Sequence, residues 1–127
     1  MTRRADDHGQ LVFDVFAQNC PSRETMEHAT GRWGTLALVA LQDGTIRFNA
    51  LRRRVDGISE KMLSQTLQAL ERDGLVLREA RPTIPPHVEY SLTPLGVDVA
   101  GQLRGLIDLL EGRMPDVLTA RAAYDAR

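Results

Sequence analysis

Cysteine is almost missing from this chain: Cys20 is the only one in 127 residues. No disulfide can close within one copy, and no Cys/His pairs stand at zinc-ligand spacing, since His8, His28 and His87 share no motif. The fold must therefore rest on packing, with no metal expected. Also lacking is any apolar run near the ~18 residues of a membrane span. The Arg3-Arg4 start is not followed by the apolar segment and cleavage site of a secretory signal, so the expectation is a cytoplasmic protein with no membrane partner. There is no internal repeat and no low-complexity tract. A Gly-rich phosphate loop, a nucleophile motif and a His/carboxylate cluster are all wanting, and the acidic residues are scattered as solvated helix positions are; the chain is not expected to be an enzyme or to need a cofactor. A large charge of one sign is missing too. The formal net charge of -1 argues against a protein that coats nucleic acid indiscriminately.

What is present is an ordinary globular composition, 43% hydrophobic and 26% charged, at a length suited to one compact domain. The charge is unevenly spread. Residues 45–82 hold 8 basic and 5 acidic side chains, whereas residues 1–44 and 83–127 each hold 4 and 6. A positive centre between acidic ends places cations near phosphates while limiting nonspecific adhesion.

Residues 1 to 7 are polar and predict a loose terminus. Leu11 to Phe16 is strongly apolar and predicts a short helix docked on another surface, with a partner subunit as one candidate. Ser22 predicts an N-cap with Glu24 in the first turn, and Gly31 a break before Trp33. Trp33, Leu36, Ala37, Val39, Ala40 and Leu41 predict a helix apolar nearly all round, ended by Asp43-Gly44. Ile46 to Phe48 suits a short strand, and Asn49 a cap for a helix turning Leu51 and Val55 inward. Gly57 supplies a tight turn, Ile58 an apolar anchor, and Ser59 the N-cap of the next helix. Along that helix Leu63, Leu67 and Leu70, with Met62 alongside, form a stripe that sends Lys61, Ser64, Gln65 and Gln68 outward, until Gly74 stops it. Leu75 to Arg81 and Val88 to Leu92 predict two strands, with Pro82, Pro85 and Pro86 confined to their connection. Thr93-Pro94 is a strong helix start, and Val97, Leu103, Leu106, Leu109 and Leu110 line a helix of about four to five turns. Pro115 interrupts it before a last helix over Asp116 to Tyr124.

Strand, helix, glycine turn, helix and Pro-tipped hairpin in that order make an α+β, mainly helical winged helix-turn-helix. The run Arg47-Phe48-Asn49-Ala50-Leu51-Arg52-Arg53, then Gly57-Ile58-Ser59, Leu70-Glu71-Arg72-Asp73-Gly74-Leu75-Val76 and Pro85-Pro86-His87-Val88-Glu89-Tyr90-Ser91-Leu92-Thr93, resembles the HxlR family of bacterial transcription regulators, MarR-like winged-helix dimers. The resemblance begins near Cys20-Pro21 and covers about four fifths of the chain. It implies a homodimer on a pseudo-palindromic double-stranded operator, acting as a repressor or activator of a nearby gene, with repression favoured. It further implies an N-terminal arm over residues 1–19, a DNA-binding core over 20–93 and a C-terminal dimerisation segment over 94–127. The paired surface is expected at Leu11, Phe13 and Phe16 and at Leu103, Leu106 and Leu110.

Lys61, Ser64, Gln65 and Gln68 are side chains that can reach base edges, with Ser59 at the helix start, against the plain alternative of a solvated polar face. Glu60 fits least well beside phosphate but suits the positive end of the helix. Arg47, Arg52 and Arg53 are phosphate candidates, with Arg78, Arg81 and His87 at or near the wing; the alternative is ordinary salt bridging to Asp56, Glu71, Asp73 and Glu79. In several members of the family a cysteine near the start of the chain senses quinones, aldehydes or oxidants. For Cys20 that role requires a thiolate, hence exposure and electropositive surroundings such as Arg23; the alternative is a buried small hydrophobe. Two wider alternatives are a winged helix that docks on protein without specific DNA binding, and a regulator with a noncovalent small-molecule inducer.

Overall fold

The computed structural model describes the backbone of residues 4–5 and 11–127 and the side chains of residues 12–127. The expected loose terminus over residues 1 to 7 therefore lies outside the described residues except for β1 (Arg4–Ala5), which pairs antiparallel with β2 (Leu11–Val12). The helix expected from Leu11 to Phe16 does not form. Asp14 turns the chain instead: its carboxylate accepts the Phe16 amide at 2.9 Å and its carbonyl accepts the Ala17 amide at 3.0 Å. An aspartate side chain that bonds the backbone two residues on competes with the helix ladder, and valine and phenylalanine favour extended backbone.

Helix α1 (Pro21–Thr30) is capped by Cys20, not by Ser22. Proline suits the first helical position and forces the residue before it to be extended, so the boundary falls one step earlier than a serine cap would put it. Gly31 breaks the chain as expected, and α2 (Gly34–Ala40) follows, continued by a tight 3-10 turn over Leu41–Asp43 that ends at Gly44. Helix α2 is the centre of the core, with Ala37, Leu38, Val39 and Ala40 buried; Leu36 is exposed, so the helix is not apolar all round.

Strand β3 (Ile46–Arg47) passes directly into α3 (Phe48–Arg54). Asn49 lies inside the helix and not at its cap, because Phe48 is already helical and sets its ring 6.3 Å from that of Tyr90. Gly57, at φ 88°, makes the turn, Ile58 is buried, and Ser59 caps α4 (Glu60–Arg72) by accepting the Met62 amide at 3.1 Å. Leu63, Leu67 and Leu70 face the core, while Met62 is exposed.

The hairpin of β4 (Val76–Arg81) and β5 (His87–Leu92) completes an antiparallel sheet ordered β3–β5–β4, with Ile46 opposite Tyr90 and Arg81 opposite His87. Helix α5 (Pro94–Gly112) is capped by Thr93, and α6 (Met114–Asp125) starts just after Arg113. Leu103 is buried in the core of its own chain, which removes it from the expected paired surface; Leu106 and Leu110, one and two turns on, are half exposed.

Candidate nucleic-acid interface

At about 100° per residue, the stripe of Leu63, Leu67 and Leu70 places Lys61, Gln65 and Gln68 on the opposite side of α4. All three are exposed. Ser64 sits roughly a quarter turn round the helix from the stripe and is half-buried, so it is the least available of the predicted base-reading residues. Ser59 uses its hydroxyl oxygen to cap the helix. Glu60 is in the first turn, beside the backbone amides it suits electrostatically.

The phosphate candidates divide into two groups. Arg47, Arg52 and Arg53 are exposed, and among the described residues they make no ion pair, so their donors are available to an anion. Arg47 and Arg53 meet His87 round an open cleft of about 560 Å³ between α3 and the wing, with Asn49, Pro85 and Tyr90 completing its walls. Arg78 is exposed near the base of the wing. The other two wing residues, Arg81 and His87, are committed elsewhere. Arg81 bonds Glu89 through Nε at 2.7 Å and Glu79 through Nη2 at 3.1 Å, and His87 Nε2 lies 3.3 Å from the second oxygen of Glu89. The hydrogen bond from Arg81 holds the Glu89 carboxyl below its usual range, and the same bond raises the pKa of Arg81. Glu79 accounts for one salt bridge foreseen as the alternative; Glu89 was not foreseen as a partner, because only the register that faces Glu79 with Glu89 brings Arg81 within reach of both.

Cys20 is buried, only 2% exposed. Its Sγ lies 3.2 Å from the Ser22 hydroxyl and 3.3 Å from the Asp14 amide, which donates to it. These contacts, the Ser22 hydroxyl first, lower the thiol pKa below its ordinary value against the opposing effects of burial and the Asp14 carboxylate. The expected exposure is absent, and Arg23 is turned to Glu27 at 3.3 Å. The thiol thus makes hydrogen bonds in a buried position behind the turn after β2.

Two pairs at the end of α4 have no sequence signal. His28 Nδ1 lies 2.6 Å from the Asp73 carboxylate, and Arg72 Nη1 lies 3.2 Å from Glu24, so α1 is braced against the last turn of α4. The partners are 45 and 48 residues apart, beyond any local pattern.

The HxlR-like helix-turn-helix family matches residues 29–117, from the end of α1 into α6. The chain belongs to that family. It is 56% identical over 108 residues to YtfH, an HTH-type transcriptional regulator of Escherichia coli K12, across 85% of this chain and 86% of that protein. The solved structure of the Salmonella typhimurium protein YtfH superposes with a TM-score of 0.83 at 55% identity, covering 87% of this chain and 99% of that one. The redox regulator HypR in its reduced form superposes at 0.69 with 35% identity, over 79% of this chain and 98% of its own. In this HxlR-like fold α4 holds the place of the recognition helix and the β4–β5 hairpin that of the wing. No helix among the described residues is long and apolar enough to cross a membrane.

Proposed function

We propose that the protein is a transcriptional repressor that binds a pseudo-palindromic operator as a homodimer and releases it when Cys20 is modified. The observation that carries the DNA reading is the outward face of α4, where Lys61, Gln65 and Gln68 are exposed, together with the exposed guanidinium groups of Arg52 and Arg53 on α3, which make no ion pair among the described residues. Amide side chains pair with adenine and the ammonium with guanine in the major groove, while arginine on phosphate fixes register. Residues 20–93 supply this surface. Pairing belongs to the segments on either side, through Phe13 and Phe16 and through Leu106 and Leu110; the side chain of Leu11 lies outside the described residues.

Lys61→Ala or Gln65→Ala is expected to weaken binding to a duplex selected from a randomised library by about 1–3 kcal/mol, with little change on random duplex. Arg53→Ala should weaken both alike and lower the salt slope by about one unit. Fluorescence anisotropy across a salt series measures both. Wild-type binding by all three folded variants would remove the reading of α4, and a salt-insensitive protein partner with no DNA shift would favour a docking module instead.

The sensing role is supported by the lowered pKa of Cys20 and by the likeness to a protein described as a redox regulator. Because the thiol is covered, its modification requires the Phe13–Asn19 turn to open. Diamide or a quinone is expected to release the operator from the wild type and leave Cys20→Ser bound. Intact mass would distinguish two linked subunits from an adduct on one chain. A Cys20→Ser protein that still lets go on treatment would make Cys20 structural and the inducer noncovalent.

A further inference from the structure

The tip of the wing is apolar, rigid and without a free cation. Ile84 is fully exposed, the largest side chain on the tip, and lies between Pro82 and Pro85-Pro86. The loop is braced from within: the Thr83 hydroxyl donates to the Pro85 carbonyl at 3.0 Å and lies 3.1 Å from His87 Nδ1. The groups on either side of it are held: Arg81 by Glu79 and Glu89, and His87 by Glu89. A wing that gripped phosphate by charge would leave those groups outward. This one ties them to carboxylates and presents a β-branched hydrocarbon on a frame that has little rotational freedom left to lose on binding.

Resting on the DNA-binding reading above, we infer that Ile84 is an apolar minor-groove probe that wedges at a base step flanking the major-groove site read by α4. The cleft of Arg47 and Arg53 adjoins Pro85, Pro86 and His87, so the phosphate-binding surface runs without a gap into the base of the tip and carries the backbone past it. Apolar side chains that enter the minor groove partly unstack a step and kink the duplex, and pyrimidine–purine steps yield most readily. The wing thus contributes sequence preference through deformability. Its contribution is insensitive to salt, unlike that of Arg53.

The test uses the full-length protein and a duplex it selects from a randomised library, labelled at both ends for energy transfer and carrying 2-aminopurine at steps facing the wing. Wild type should raise the 2-aminopurine fluorescence at one step and shorten the end-to-end distance. Ile84→Ala should abolish both signals and weaken binding roughly 15- to 60-fold, the order expected for returning two or three carbon groups to water, with the salt slope unchanged. Ile84→Arg should steepen the slope by about one unit and raise affinity for random duplex, losing selectivity. Ile84 is fully solvated, so neither variant disturbs the core. Wild-type fluorescence, bend and affinity in Ile84→Ala, while Arg53→Ala still weakens binding, would overturn the wedge and leave the DNA reading intact. A change of oligomeric state in Ile84→Ala would overturn it in favour of a protein contact. Absence of salt-dependent binding by the wild type would overturn both.

Discussion

Gly96→Ala is expected to lower stability by about 3 kcal/mol, at the upper end of overpacking penalties and enough to lower Tm by roughly 10 °C. Gly96 is in the first turn of α5, and a Cβ built there would run into the Leu75 carbonyl oxygen and carbon. Neither side can yield cheaply. The Leu75 carbonyl accepts the Thr93 amide at 3.1 Å, and the Gly96 amide donates to the Thr93 hydroxyl at 3.0 Å, so the obstructing atom and the glycine are tied to the same residue. Relief would mean lifting the first turn of α5 off the chain leaving α4, with loss of the cap and of the packing of Ala100 and Leu103 behind it. Thermal and urea melts of the variant would measure the loss. A Gly96→Ala protein that melts with the wild type would show that α5 does not sit so close to Leu75.

Leu106→Glu combined with Leu110→Glu is expected to convert a dimer into a folded monomer and to weaken operator binding by about 10² to 10⁴, the advantage of a linked second site over a single half-site. Both leucines are half exposed on α5, Leu109 is beside them and Leu118 is exposed on α6, a helix with no buried residue of its own. An apolar face of that extent on a single chain calls for a cover. Two charges placed one turn apart in it would have to be desolvated for pairing to persist. Light scattering would report the mass and circular dichroism the fold. A double variant that remained dimeric would place the contact elsewhere, with Phe13 and Phe16, exposed on the N-terminal segment, as the next surface to test.

The sequence made the recognition helix and the wing legible because their signals are local. A serine cap, a leucine stripe, Gly57, Gly74 and the proline cluster each act within a few residues, and the structure has them at φ 88° and 76° for the two glycines and with the prolines confined to the hairpin tip. Local conflicts produced the errors. Asp14 captures the backbone that the apolar pattern of Leu11 to Phe16 would have wound, Pro21 shifts a helix cap from Ser22 to Cys20, and Phe48 enters α3 ahead of Asn49. At the candidate site the arginines of α3 were legible as a group. The commitment of Arg81 and His87 was not, since it depends on which residues face each other across the hairpin, and Leu103 could not be told from Leu106 until α5 was laid on α2.

Thr93 has a wider consequence than capping one helix. Its hydroxyl also donates to the Gly74 carbonyl at 2.6 Å, so the residue that starts α5 grips the residue that ends α4. There is no slack joint between the two, and α5, with its 19 residues, is a rod of about 28 Å. In a pair built on α5, that rod is a lever and not a tether. Turning it by about 10° about one end moves the other by about 5 Å, a shift comparable to the rise of a base pair and a half along DNA. The spacing between the two reading heads is then set by the pitch of one helix against its twin, and a disturbance as remote as the far end of α5 changes which half-sites the pair can straddle without touching any side chain that meets a base.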